Sequence, residues 1–457
     1  MSLTTRRIIF YALVILFLVS GGGVVLYANG WRLDPDAFAL VKTGGIYIES
    51  APRDATIFID GSPVKNASGL ISSGTLVSGL LPRSYEVTVT KEGYSLWRRI
   101  LRVLPSLVTK AEHIILVPNE SIAVPLPVPA ATILVSGEML VASFADGRIA
   151  VGGVRVPGTK FVAVNTNRSA VITYDAGRGA YFFTSLPEAK SSLNLTSLFN
   201  NLKERTLGLP GAVLPREVIA HPFDAKKAVV RTDRGLYVID TERLSIVQIA
   251  GPASTRLGEA GGGLRADNER LIGAVFARGQ SITWTEYSAA RDESALLTAD
   301  LILRTSSRLA TTTGTILTIG ETFEGGLLLL ALDGRLLSLP RSAKEANTIE
   351  EEASDFFPSP QDQALIVRLK NGSLSLWDFK ETPKRLLLPF AGDELLWHKN
   401  GAHVFVRRGS AVSFVELFEN GEVLETPLSK AATAMAYDPS RKLFYLLEGG
   451  ALRSLEL

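Results

Sequence analysis

The 457-residue chain contains no cysteine and only four histidines, His113, His221, His398 and His403. Without cysteine there are no disulfides, thiolate nucleophiles, iron–sulfur clusters or ordinary zinc-finger sites. Four scattered imidazoles leave little material for a metal centre or for histidine acid–base chemistry. Neither sign of charge is in excess. The 48 Lys and Arg oppose 46 Asp and Glu, so no overall basic field exists to attract nucleic acid. The catalytic signatures are missing as well. There is no G-x-S-x-G elbow, no Walker A loop, no H-E-x-x-H and no D-x-[DN]-x-[DN]-G calcium loop. Gly261-Gly262-Gly263 falls in a loop-like region and does not make a dinucleotide fingerprint. The expectation is a non-enzymatic protein without cofactor or metal. His398 and His403, five apart across Asn400-Gly401, would need a carboxylate such as Asp393 or Glu394 to hold an ion, and separate strand edges are the simpler account.

What is present begins with one long apolar run. Ile8 through Tyr27 carries no charge, and at 1.5 Å per residue it makes a helix of roughly 30 Å, the thickness of a hydrocarbon core. Arg6 and Arg7 precede it, which favours a cytoplasmic N-terminus over residues 1–7, although Arg32 and Lys42 follow the run. Tyr27 and Trp31 suit a membrane interface. A cleaved signal peptide is the competing reading, but its apolar core is ordinarily shorter and ends at a small-x-small site. The expectation is therefore a single-pass anchor at 8–27, with the bulk of the chain extracytoplasmic.

Residues 44–118 alternate with a period of two. Ile46 and Ile48 interleave with Tyr47 and Glu49, Thr56–Ile59 stops at the hairpin signal Asp60-Gly61, and Tyr85, Val87 and Val89 share one face. The stretches GGIYIESAPRDATIFIDG and LLPRSYEVTVTKEGY resemble the PEGA domain, a small β-sandwich-like module of bacterial envelope proteins. The pattern falls on Ser50, Pro52, Ala55, Asp60, Gly61, Val87, Val89, Lys91, Gly93 and Tyr94. The chain departs from it at Pro82-Arg83-Ser84, where the family shows Pro-Gly, and in the longer segment from Val64 to Gly79. The resemblance implies a scaffold or surface-binding role and no chemistry. Trp97, Arg98, Arg99 and Arg102 then read in two ways: a basic, aromatic patch for anionic polymer or lipid headgroups, or a strand with Trp97 turned inward and arginines in water.

Residues 119–130, NESIAVPLPVPA, are proline-rich and predict a stiff linker. Beyond them, from 131 to 457, a turn–strand–turn–strand pattern recurs. It is plainest in segments starting near His221, Ser359, His398 and Tyr437, the last three about forty residues apart. A period of that length in short strands marks the blades of a β-propeller, since one small sheet cannot bury both faces alone. The repeats resemble WD-repeat and TolB-like propellers, and about 327 residues allow roughly seven blades at 40–45 each, with six or eight also open. The fold class expected is thus mainly β: an N-terminal transmembrane helix, a PEGA-like β-sandwich and a propeller.

One insertion, near 192–205, places Leu195, Leu198, Phe199 and Leu202 at i, i+3, i+4 and i+7 of a short amphipathic helix, capped by Asn194 or Ser192. Its stripe either docks a partner or plugs a face of its own propeller. Glu350-Glu351-Glu352 lies in a polar stretch read as a solvated loop. Two classes of function remain: a membrane-anchored envelope scaffold whose propeller binds a protein or glycan, or a propeller hydrolase or lyase with a dispersed central-channel site. Carboxylates and histidines converging on the channel would favour the second.

Overall fold

The computed structural model describes residues 3–457 apart from 36–37, 69–72, 127, 166, 187–190, 252–269, 323, 362–363, 380–382 and 419–420. The glycine run 261–263 lies outside the described residues. The chain divides into two units, one running to Ser121 and one from Ile122 to Glu456.

The first unit opens with α1, Leu3–Ala28, a helix apolar on every side. Within Thr5–Ala28 an 18-residue window has a mean hydropathy of 2.5, and none of that window is buried against the chain. A hairpin of Trp31–Asp34 and Ala39–Lys42 follows. Two small sheets come next. Gly44–Ala51 lies between the antiparallel Thr75–Leu80 and the parallel Val108–Ile115. Ser62–Val64, Thr56–Ile59, Ser84–Thr90 and Trp97–Arg102 form the second sheet. The alternation read from sequence is the alternation of burial: Ile46, Ile48, Ile57, Tyr85, Val87 and Val89 are inside. Asp60-Gly61 turns with both φ values positive, 47° and 75°, as a tight hairpin requires.

The second unit is a β-propeller. Eight four-stranded sheets occur in it among the described residues, the upper end of the expected six to eight. Blades 1 to 7 occupy residues 130–156, 160–194, 217–250, 270–313, 316–350, 353–391 and 394–429. Eight fit because blade 1 is compressed, two of its strands being only Ile149–Val151 and Val154–Val156. Blades 4 and 5 fill the stretch where the repeat is faint. The long strands of blade 4 carry small polar residues, as in Thr305–Thr313, and blur the apolar signal.

Blade 8 is made from both ends of the unit. Ala432–Asp438, Leu443–Glu448 and Ala451–Glu456 supply three strands, and Ile122–Val124 pairs antiparallel with the last of them as the fourth. The expected linker therefore gives three residues to the ring. Prolines 118 and 125 flank that strand, so it is short and keeps its own N–H groups for pairing.

Each interface between blades is a separate apolar layer. Val141, Ile149 and Val151 of blade 1 meet Val164 and Val171 of blade 2. Val229 and Leu236 of blade 3 meet Ile282 and Trp284 of blade 4. Leu328 and Leu336 of blade 5 meet Leu365 and Val367 of blade 6. Between blades 7 and 8 the filling is aromatic, with Phe405 stacked on Phe444 at 4.0 Å between ring centroids. Blade 8 then packs on blade 1 through Ala434, Tyr445 and Leu447 against Ile133, Ala142 and Phe144, which closes the circle.

Closure by a distant strand has a measurable consequence. A propeller fragment beginning at residue 119 should melt several degrees above one beginning at residue 126, which lacks Ile122–Val124. Equal melting temperatures by calorimetry would mean that the strand does not hold the ring shut.

Candidate functional site

The amphipathic insertion forms α2, Leu195–Leu207, between blades 2 and 3. Asn194 caps it, its side-chain oxygen accepting from the Ser197 N–H at 2.9 Å, and Gly208 ends it in the left-handed region at φ 64°. Leu195, Phe199 and Leu202 are buried. They share one cluster with Ile172 and Phe183 of blade 2 and with Val218, Val230 and Ile239 of blade 3, and Leu198 packs half-buried against it. The Phe199 ring meets that of Tyr237 edge-on at 5.2 Å. The partner-docking expectation for these four residues is corrected: the propeller itself covers the stripe, because its two flanking blades supply the apolar surface that the stripe needs. Lys203, buried beside them, donates from Nζ to the Leu209 and Gly211 carbonyls at 2.8 and 2.7 Å. It thereby ties down the loop that leaves the helix.

In the strand Trp97–Arg102 the alternation separates the tryptophan from the arginines. Trp97 and Leu101 are buried, whereas Arg98 and Arg102 are exposed and Arg99 is half-buried. Arg98 lies 3.7 Å from Glu86 on the neighbouring strand. Trp97 is thus a core residue, unavailable to a ligand, while Arg98 and Arg102 stand on the exposed face of the strand.

The innermost strands of the propeller hold an arrangement that sequence reading missed. The first strands of successive blades touch, as Lys160–Val164 does Glu217–Ala220 and Ala353–Pro358 does Glu394–Trp397, so these strands line the axis. Three of them carry a carboxylate paired in register with an arginine on the second strand: Glu217 with Arg231, Asp355 with Arg368 and Glu394 with Arg407. The nitrogen–oxygen separations are 2.9, 3.4 and 2.9 Å. Two of the arginines also reach the next blade. Arg231 donates to the Ile272 carbonyl at 3.3 Å and Arg368 to the Asp393 carbonyl at 3.0 Å. The signal was there to find, an acid followed thirteen or fourteen residues later by arginine, but it has meaning only once the register is known.

Three of the four histidines sit where the first strand of a blade turns into the second, whereas His113 lies on the strand Val108–Ile115 of the first unit. His398 and His403 are buried with ring centroids 6.0 Å apart. The Asn400 N–H donates to His398 Nδ1 at 3.3 Å, and the Asn400 side-chain amide lies 3.1 Å from His403 Nδ1. His403 stacks on Phe414 at 4.7 Å and His398 tilts against Tyr437 at 5.3 Å. Asp393 and Glu394 do not join them: Asp393 accepts from the Gly409 N–H at 2.6 Å and Glu394 from Arg407. Among the described residues no group of three or more metal-ligating side chains occurs. His221 holds the equivalent turn in blade 3, its Nδ1 accepting from the Asp224 N–H at 3.1 Å. Burial lowers its pKa to about 4, the nearby Lys227 adding to the effect and Asp224 opposing it. It is therefore a neutral acceptor.

No family model matches the chain, and no curated protein matches it in sequence. Solved structures similar to it include the C-terminal WD40 domain of Sif2, at 9% identity with a TM-score of 0.43, covering 74% of this chain and 98% of that one. An oligogalacturonate lyase in complex with manganese is 11% identical with a TM-score of 0.42, covering 74% and 97%. A eukaryotic initiation factor is 10% identical with a TM-score of 0.46, covering 72% and 84%.

Two predictions follow from these placements. Phe199→Ala should destabilise the propeller by about 3–5 kcal/mol in denaturant melts, as truncation of a buried ring does. An unchanged midpoint would mean that the stripe is not part of the core. For His221 the folded pKa lies below the ordinary 6.5, so the unfolded chain takes up the proton first. Its contribution is complete above pH 6.5, declines as the pH falls and levels off near pH 4. His221→Asn, which keeps an acceptor without the titration, should flatten stability across that window, and an undiminished slope would assign it to other groups.

Proposed function

We propose that this chain is a membrane-anchored cell-envelope protein whose propeller is a rigid binding scaffold for an envelope protein or glycan, without catalytic chemistry of its own. The observation that carries the reading is how the propeller uses its charge. Glu217, Asp355 and Glu394 on the axis-lining strands are each committed to an arginine, and two of those arginines brace the next blade. Such groups stiffen a platform, and the turns joining strands at its two rims then present a broad, pre-organised surface.

Anchoring is supported by α1, an apolar helix with no covering surface on the chain, long enough to cross a bilayer. The small β module supports an envelope setting through its PEGA-like residues, Ser50, Pro52, Asp60, Gly61 and Lys91-Glu92-Gly93-Tyr94. The basic flank Arg6-Arg7 favours the orientation with the propeller outside the cytoplasm.

Crosslinking of the full-length protein in its native envelope, followed by capture, should recover one protein or glycan that a propeller-deleted control does not. Protease added to intact cells should degrade the propeller. Turnover of a polysaccharide or peptide by the purified chain would replace the scaffold with an enzyme, and protection until permeabilisation would reverse the orientation.

A further inference from the structure

We propose that the end of the small β module nearest α1 is a membrane-seating surface: Trp31–Asp34 and residues 38–42 of the hairpin, together with the loop 104–107 and the adjoining Val108, enter the headgroup region of the bilayer that α1 spans. This rests on the anchoring reading above and adds to it. A helix alone would tether the module, whereas this surface would hold it flat against the lipid.

Hydrogen bonds fix both elements to the end of the helix. The Arg32 guanidinium lies 3.4 Å over the Tyr27 ring and donates to the Tyr27 carbonyl at 2.9 Å. Thr43, at the far side of the hairpin, donates from its N–H and its hydroxyl to the Gly30 carbonyl at 2.8 and 2.9 Å. The loop joins next: the Ser106 N–H donates to the Thr43 carbonyl at 3.0 Å and the Gly45 N–H to the Leu107 carbonyl at 3.0 Å. Helix terminus, hairpin and loop are thus one connected patch.

What this patch shows to the outside is apolar. In the hairpin Phe38 is 88% exposed, Leu33 61% and Leu40 53%; in the loop Leu107 is 56% exposed, and Val108, which opens the next strand, 48%. Large apolar side chains concentrated on adjoining turns mark a contact surface on a water-facing protein. Phe38 also has φ 49°, a left-handed conformation in which an aromatic residue is an outlier. The chain holds this ring outward in a strained position with almost no protein around it. Lys42 and Arg102 are exposed beside the apolar groups, and Trp31 lies in the same hairpin. Aromatic and aliphatic tips with basic side chains behind them form the pattern of segments that sit at a bilayer interface. The occupant is set by position, because the bilayer is the surface at which α1 ends.

The module supplies its own control. Ser84 pairs with Arg102 and Val89 with Trp97, so the turn containing Glu92 lies at the opposite end from the loop 104–107. With no native cysteine, a single introduced thiol labels uniquely. The full chain is reconstituted in phosphatidylcholine vesicles with brominated acyl chains, carrying an environment-sensitive NBD fluorophore at L16C, F38C, L107C or E92C. The expected result is lipid quenching at positions 16, 38 and 107, with several-fold brighter, blue-shifted emission in unbrominated vesicles, and neither effect at 92. Quenching at 16 with positions 38 and 107 behaving like 92 overturns the seating surface and leaves the anchor standing. Blue-shifted emission at 38 and 107 without lipid quenching also overturns it, since protein and not lipid would then cover the patch. Absence of quenching at 16 removes the anchor itself, and the proposal with it.

Discussion

A propeller blade has two apolar faces and only its neighbours to cover them. Val229 and Val230 are adjacent on one strand of blade 3, yet both are fully buried, one in the layer shared with blade 4 and the other in the layer shared with blade 2 and α2. No blade can satisfy both demands unless the series closes, so stability is a property of the ring. The aromatic stack of Phe405 on Phe444 and the contact of Tyr445 and Leu447 with blade 1 are the places where that closure is completed.

The same constraint accounts for how the polar groups are spent. Carboxylates on the axis-lining strands and the arginines opposite them are partly shielded, and an unpaired charge there would be costly. Pairing them in register and letting the arginine reach a carbonyl of the next blade satisfies the charges and joins blades by directional contacts. Lys203 follows the same logic, its ammonium enclosed by backbone oxygens of its own loop. The turn histidines His221 and His398 accept backbone N–H bonds, which uses imidazole as a structural cap. Little of this polarity is aimed outward. A platform of this kind recognises through the shape and chemistry of its rims.

Much of the architecture was legible in local pattern. Period-two alternation around Tyr85, Val87 and Val89 and the helical spacing of Leu195, Phe199 and Leu202 both report which side of an element is covered, and both are matched by burial. What covers it is another matter. The stripe of α2 is the same on paper whether a partner or blade 3 lies against it, because amphipathicity encodes a face without naming its neighbour. Blade number stayed open for a related reason: Ile149–Val151 and Val154–Val156 are too short to register as periodic strands, although pairing partners make them a blade. The acid–arginine latches were invisible because Glu217 and Arg231 become neighbours only through strand register.

The strand Ile122–Val124 also sets an order of events in the making of the protein. It is the first segment of the propeller to be synthesised, and its partner strand is among the last, with Ser454 reaching the Ile122 carbonyl across 332 positions of chain. Blades 1 to 7 can form in sequence as the chain lengthens, but the opening strand must wait, unpaired, for almost the entire unit to be made. A chain cut short anywhere before Ala451 therefore carries an open strand edge at one end and an uncovered blade face at the other. Completion of the propeller is thereby written into its fold, and a chain interrupted within it is chemically distinguishable from one that has gained the strand Ala451–Glu456 before any ligand is met.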